Sequence, residues 1–294
     1  MKTPRTAAEL LREGEARLKR SPAIDHWPAD RERREASVLL SFVLGDRNGS
    51  EELSDPDRTI GAAARERYRR LIRRRAGGEP IAHILGWTLF RGLRLSVRPG
   101  AFVPRQSSES LVARAVNRLR GRTSPVAVDV ATGIGPVALA VAHAVPAAEV
   151  HGTDISADAV RQARENARAL GLSNAAFHRG DLFAPLPADL RGEVDVITLH
   201  PPYVPRRDVG DLPIEVRGFE PEDTLTDFSP DGLGLLERTA SQAPAWLRPG
   251  GWLLVEVSPD RARSVRGRIV RSGYRDVVST RSWPDITRVI VGRV

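Results

Sequence analysis

Three aspartates, a glycine turn and a double proline are the residues of this 294-residue sequence with chemistry in their spacing. Asp129 lies in an apolar run, "VAVDVA", that leads into "TGIGPVA". Gly133 and Gly135 let a backbone turn approach a ligand closely, and the helix start behind them offers unpaired N–H groups. Asp154 ends the next apolar run, "EVHGTDI", where a carboxylate can hold both hydroxyls of a ribose. Asp181, in "RGDLF", follows the third run and is placed for an adenine edge. Alone, G-x-G-x-x-A suits a dinucleotide equally well. Two features favour S-adenosylmethionine over NAD. An acid follows each of three successive strands, and Asp129 sits where it could take an amino-acid amine. Each aspartate taken singly also reads as an ordinary turn residue.

The fourth run, "VITL", ends in His200-Pro201-Pro202-Tyr203. Two prolines forbid helix and remove two backbone donors. They fix the backbone so that the Pro201 carbonyl and the side chain at 200 converge on one small polar group. Tyr203 can stack on a planar acceptor. A nitrogen held there would aim its lone pair at a cofactor methyl, in line with the leaving sulfur, and positioning would be the main contribution. No Ser-His-Asp arrangement or Walker-type phosphate loop is present. His83, His143, His151 and His178 show no metal-ligand spacing.

The elements that must position these residues alternate. Strands at 126–131, "EVHGTDI", "AAFHRGD" and "VDVITL" are separated by helical patterns. Pro136 suits a first helical turn, Ser156 an N-cap and Gly171 a helix stop. A helix near 232–247 leads through "RPGG" to "WLLVEVS". A helix near 260–271 precedes two last strands, "DVVSTRS" and "RVIVGRV". The alternation predicts a doubly wound parallel α/β sheet. Ahead of it, residues 6–20, 30–44 and 57–75 show apolar positions at helical spacing, with Gly45 a stop for the second helix. Residues 81–104 alternate apolar and polar around "RG" and read as a hairpin. The expected organisation is a helical domain over 1–78, a β-hairpin linker over 79–108 and a Rossmann-like domain over 109–294.

The chain has no cysteine, which excludes disulfides and thiolate metal sites. Its N-terminal stretch is charged throughout and lacks an apolar h-region, and no run approaches the roughly 20 apolar residues of a membrane span. A cytoplasmic, monomeric protein is the expectation. Net charge is +8, and only Lys2 and Lys19 are lysine. The arginines allow two readings: proximity to RNA or a ribosome, or the composition of a GC-rich genome. The run "RRLIRRRAGG" is either a nucleic-acid contact or a solvated helix face.

The order of motifs resembles the HemK/PrmC family, the release-factor glutamine N5-methyltransferases, over nearly the whole chain. The residues that carry the resemblance are "RRAGGEPIAHILGWTLFRGLRLSVRPGAFVPR", "DVATGIGPVALAVA", "GTDIS", "GDLF", "LHPPYVP", "LPIEVRGFEPEDTL" and "LRPGGWLLVEVS". The resemblance implies a Rossmann-like S-adenosylmethionine-dependent methyltransferase domain with a seven-stranded sheet. It also implies a helical N-terminal domain that recognises a release factor. Carried onto this chain, it places the cofactor against Asp129, Ala131, Thr132, Gly133, Ile134, Gly135, Asp154, Ile155, Asp181, Leu182 and His200. His200, Pro201, Pro202 and Tyr203 hold the acceptor.

Four departures bear on this. The family's Asn-Pro-Pro-Tyr has His200 in place of asparagine. A neutral imidazole offers one acceptor and one donor in a different geometry, and a protonated one offers no acceptor. The family's "PRPETE" reads "PRQSSE" over 104–109, its first loop glycine is Ala131, and a glycine pair is missing from "TLTDFSPDGL". Three outcomes remain open for His200: the same glutamine substrate, a changed acceptor with His200 as hydrogen-bond acceptor or general base, or a cofactor-binding paralogue without turnover.

Overall fold

The computed structural model describes residues 6–45, 55–282 and 286–294. Lys2 and the rest of the first five residues lie outside them. The chain divides into two compact units. The first is Met1–Trp87 with Arg98–Gly100 and Gly210–Glu220; the second is Thr88–Val97, Ala101–Val209 and Pro221–Val294. The division falls at Trp87, later than the expected residue 78, and it assigns an eleven-residue stretch from beyond the HPPY turn to the first unit.

The first unit is helical: α1 (Ala7–Leu18), α2 (Arg31–Val43), α3 (Ala62–Ala76) and the short α4 (Ile81–Leu85). Thr6 and Glu9 form a reciprocal capping box at the start of α1. Leu10, Leu11 and Leu18 bury against Leu39, Leu40 and Val43 of α2 and Tyr68, Leu71 and Ile72 of α3. The arginine run of α3 is an ion-paired face. Arg69 meets Glu13, Arg73 meets Glu66 and Arg74 meets Glu79. Arg75 is wholly buried, donating to Glu35 (2.7 Å) and to Glu215 (2.6 Å) of α8 (Ile214–Arg217). Arg31 also grips Glu215 through two nitrogens.

The hairpin expected around "RG" is present and occupies only part of residues 81–104. Pro80 and Gly86 bound α4, and only β1 (Trp87–Phe90) and β2 (Leu93–Ser96) pair. Arg91 and Gly92 both have positive φ, the two-residue turn that matches strand twist.

The second unit continues with α5 (Glu109–Leu119), β3 (Val126–Val130), α6 (Pro136–Ala144), β4 (Glu149–Asp154), α7 (Ala157–Ala169), β5 (Ala175–Arg179) and β6 (Val194–Leu199). After it come α9 (Gly234–Gln242), β7 (Leu247–Val257), α10 (Ala262–Arg271), β8 (Arg275–Arg281) and β9 (Arg288–Arg293). The sheet order is β5-β4-β3-β6-β7-β9-β8. Alternate residues of each central strand feed two apolar layers. Ala127, Val196 and Leu254 face α5, α6 and α7; Val128, Ile197 and Leu253 face α9 and α10. β6 is buried along its whole length, as a central parallel strand must be.

The sheet is not parallel throughout, contrary to the sequence expectation. β9 runs antiparallel to both β7 and β8. The connection from Arg281 to Arg288 is too short for a parallel crossover, which needs a dozen or more residues. β7 also begins at Leu247, so "RPGG" lies inside the strand, with a register irregularity opposite Val194–Val196.

Candidate active site

The strand order places the site. β3 lies between β4 and β6, and chain order runs outward from that point to β5 on one side and to β7 on the other. In open α/β sheets ligands bind at the carboxyl ends of the strands where the order reverses. Val130 pairs with Leu199, so Ala131 and His200 leave the sheet from adjacent strand ends.

Ala131 turns the chain with φ +54°, and Gly133 and Gly135 follow at +56° and +87°. A side chain at Gly135 would meet the Phe177 ring at 3.0 Å, so glycine is required there. Open space surrounds the position of a Gly133 Cβ, which leaves a cradle of bare backbone. Ile134 is buried beneath the turn. Asp154 binds this cradle: one carboxylate oxygen accepts the Gly133 N–H at 2.8 Å, the other the Ser156 N–H at 2.9 Å. Burial pushes the Asp154 carboxyl up and those N–H groups oppose the shift. Beside it Ile155 is 70% exposed, an apolar plate next to an acid. Cradle, carboxylate and plate fit the sugar, charged tail and flat base of S-adenosylmethionine.

Asp129 is buried in β3, and its two oxygens accept from the hydroxyls of Thr132 and Thr198, each at 2.6 Å. Burial raises its carboxyl to about 6, against those hydrogen bonds. It ties the turn to β6. Asp181 is exposed and ion-paired with Arg238, while Leu182 beside it is buried with φ +49°.

In the HPPY turn, Pro201 is buried and Pro202 half-buried. Tyr203 stacks on the His200 imidazole, centroids 5.8 Å apart and planes 21° from parallel, so one face of the phenol is taken by the histidine. Burial pushes the Tyr203 hydroxyl up to about 12. Tyr203 bridges to Thr226, which fixes the turn against the segment ending in Phe228. Phe228, in the stretch from which the glycine pair is missing, has φ +61° and is half exposed. Phe102 packs edge-on to His200 at 5.8 Å. Ser108 Oγ lies 3.1 Å from His200 Nδ1, and Glu256 Oε2 lies 3.7 Å from it. Burial lowers the imidazole pKa, Glu256 opposes this and Arg105 adds to it.

Arg105 and Ser108 entered the sequence reading only as part of the departure "PRQSSE", and Phe102 and Glu256 were given no role there. Glu256 had a signal: a lone acid inside the apolar run "LLVEV", where an ionised group is costly without a partner. Away from the site, His151 and His178 lie on adjacent strands with ring nitrogens 3.0 Å apart. Among the described residues no cluster of three or more His, Asp or Glu could hold a metal, and no helix is long and apolar enough to cross a membrane.

Comparison with known proteins follows the two-unit division. Residues 9–86 match the model of the PrmC N-terminal domain, and residues 124–262 match a methyltransferase domain. The release factor glutamine methyltransferase of Bordetella pertussis is 38% identical over 88% of this chain and 94% of its own. That of Burkholderia pseudomallei is 35% identical over 99% of this chain and 97% of its own. That of Streptomyces coelicolor is 37% identical over 76% and 77%. A solved 16S rRNA N2 G1207 methyltransferase from T. thermophilus superposes with TM-score 0.50 at 18% identity, over 70% of this chain and 49% of its own; it shares the fold. The Rossmann-like sheet, the glycine cradle beside a proline-rich turn, and relatives matching this chain from end to end agree: the chain belongs to the release factor glutamine methyltransferase family.

Proposed function

We propose that this protein transfers a methyl group from S-adenosylmethionine to the side-chain amide nitrogen of a glutamine in a peptide chain release factor. The observation that carries the reading is the junction of the Ala131–Gly135 turn with the His200–Tyr203 turn at the carboxyl ends of two paired strands. S-adenosylmethionine supplies an activated methyl on a positively charged sulfur that leaves neutral. The chain's residues do the rest by holding. Asp154 takes the ribose hydroxyls, with Ile155 against the base and Asp181 and Leu182 at its edge. Ala131, Thr132, Gly133, Ile134 and Gly135 wrap the charged tail. Asp129 braces the turn through Thr132 and places its negative charge behind it. His200, Pro201, Pro202 and Tyr203 orient the acceptor nitrogen, so the contribution is chiefly proximity and alignment.

The second reading keeps the chemistry and changes the acceptor to another protein or a small molecule. It is raised by the departure at His200, while the relatives matched are release factor glutamine methyltransferases. Incubation with labelled S-adenosylmethionine and a purified release factor, read by intact mass and fragment mapping, separates the two. A methyl on the glutamine of the Gly-Gly-Gln loop supports the first. Cofactor binding without transfer to that glutamine defeats it.

A further inference from the structure

Two departures from the family pattern, His200 and the "QSS" of "PRQSSE", meet in space. Ser108 Oγ is 3.1 Å from His200 Nδ1. Behind them lies Glu256, fully buried on β7. Its Oε1 accepts from Thr287 Oγ1 at 3.0 Å, and Thr287 is held in turn by Ser282. Its Oε2 has no hydrogen-bond partner among the described residues. A buried unpaired carboxylate oxygen is costly, and the His200 imidazole lies 3.7 Å away. Ser108 Oγ and Glu256 Oε2 face the same ring nitrogen, Nδ1. A carboxylate only accepts, so the proton of a neutral His200 belongs on Nδ1 and the lone pair on Nε2. Phe102 and Tyr203 hold the ring plane, and 17% of the side chain stays exposed.

We propose that His200 Nε2 is the proton acceptor for the nitrogen being methylated, and that Ser108 and Glu256 are positioning residues that hold His200 in the Nδ1–H form. The inference rests on the methyl-transfer reading above. The acceptor nitrogen gives an electron pair to the methyl carbon, and the carbon–sulfur pair stays on sulfur. The proton of the acceptor N–H passes to Nε2. One positive charge is lost at the sulfonium and one appears on the imidazolium, beside the Glu256 carboxylate that stabilises it. An asparagine at 200 can orient the nitrogen and cannot take the proton near neutral pH.

The charged and titratable groups acting on the pair are Glu256, Arg105 and Tyr203, with Arg114 acting on Glu256 and Asp260 on Tyr203. Protonated His200 has no lone pair at Nε2, so methyl transfer should fall on acidification, with a midpoint below histidine's ordinary value of about 6.5. The test is the pH–rate profile of transfer to the release factor at saturating S-adenosylmethionine. It is joined to nitrogen-15 histidine NMR of the full-length, cofactor-free protein, with His200 assigned by its loss in His200→Asn. Wild type should show the acidic limb and an Nδ1–H tautomer. His200→Ala should lose about 100-fold or more, the scale of general base catalysis. His200→Asn, which can orient the nitrogen and cannot take its proton, should lose the limb and transfer more slowly than wild type at neutral pH. Glu256→Gln should move the His200 midpoint further down in both measurements and slow transfer at neutral pH about tenfold. Ser108→Ala, the milder variant, should slow it severalfold with cofactor affinity unchanged. An Nε2–H tautomer, a midpoint unmoved by Glu256→Gln, or a limb that survives His200→Asn would overturn the proposal. If wild type methylates no release factor, the substrate reading falls, and the tautomer and its response to Glu256→Gln alone decide the relay.

Discussion

Asp129 shows how a single side chain can be costly and still be kept. Its carboxyl is raised to about 6 by burial. An unfolded aspartate titrates near 3.9. Between those values the folded chain holds a proton that the unfolded chain has lost, so stability falls as pH rises through the window. Asp129→Asn should therefore match wild type near pH 4 and exceed it at pH 7 by about 2–3 kcal/mol, since two pKa units correspond to that energy. Denaturant unfolding at the two pH values checks this; a variant less stable at pH 7 than at pH 4, relative to wild type, would refute the assignment. Asp154 behaves differently because its oxygens are held by backbone N–H groups at the mouth of the cradle. Asp154→Ala should weaken S-adenosylmethionine binding about tenfold or more by calorimetry, the size of a lost charged hydrogen bond. Unchanged affinity would remove that acid from the site. The places of Asp129 and Asp154 on β3 and β4 were legible in the sequence because glycine and strand patterns frame them. The hydroxyls that hold Asp129 were not, since Thr198 is 69 residues away and becomes a neighbour only through strand register.

At the level of elements, the turn after β3 depends on one atom that is absent. Gly135→Ala places a methyl against Phe177 in a left-handed backbone, at a cost of about 1–3 kcal/mol. The expected result is a lower unfolding midpoint with cofactor affinity reduced in parallel; a variant as stable as wild type would show that the turn relaxes. In the first unit the comparable element is α3. Glu215→Ala leaves Glu35 as the only carboxylate on the buried Arg75 and removes one of the two carboxylates on Arg31, and should cost about 1.5–3 kcal/mol, the worth of hydrogen bonds to charged groups. Urea unfolding followed at Trp27 and Trp87 reads this, and a shift below about 0.5 kcal/mol would mark the cluster as ornamental to stability. The helices were readable from apolar spacing, and the arginine run was readable as charge. Its partners were not, because Glu13, Glu35 and Glu215 come from three other segments.

For the molecule as a whole, ligand binding couples to folding by mass action. S-adenosylmethionine at about 100 times its dissociation constant should stabilise the protein by about 2.7 kcal/mol against unfolding. At the same concentration the gain should fall to about 1.4 kcal/mol or less in Asp154→Ala, and an unchanged gain there would place the ligand elsewhere. The arginine run of α3 is less available to a polyanion than the sequence suggests, since Arg69, Arg73, Arg74 and Arg75 are engaged by carboxylates. The alternation of strand and helix, the cofactor loop and the proline turn are local in the sequence, each set by a few consecutive residues, and so the fold class and the family were legible there. Direction in the sheet was not: β9 is antiparallel because a short connection returns it beside β7. Neither was the company of His200. Ser108, Glu256 and Thr287 lie 92, 56 and 87 positions from it, and only the packing of the segment before α5 and of β7 and β9 brings them toward one imidazole. Local pattern determines elements because backbone geometry is short-ranged; which side chains share a buried site is decided by tertiary packing, where the cost of an unpaired buried charge selects the arrangement.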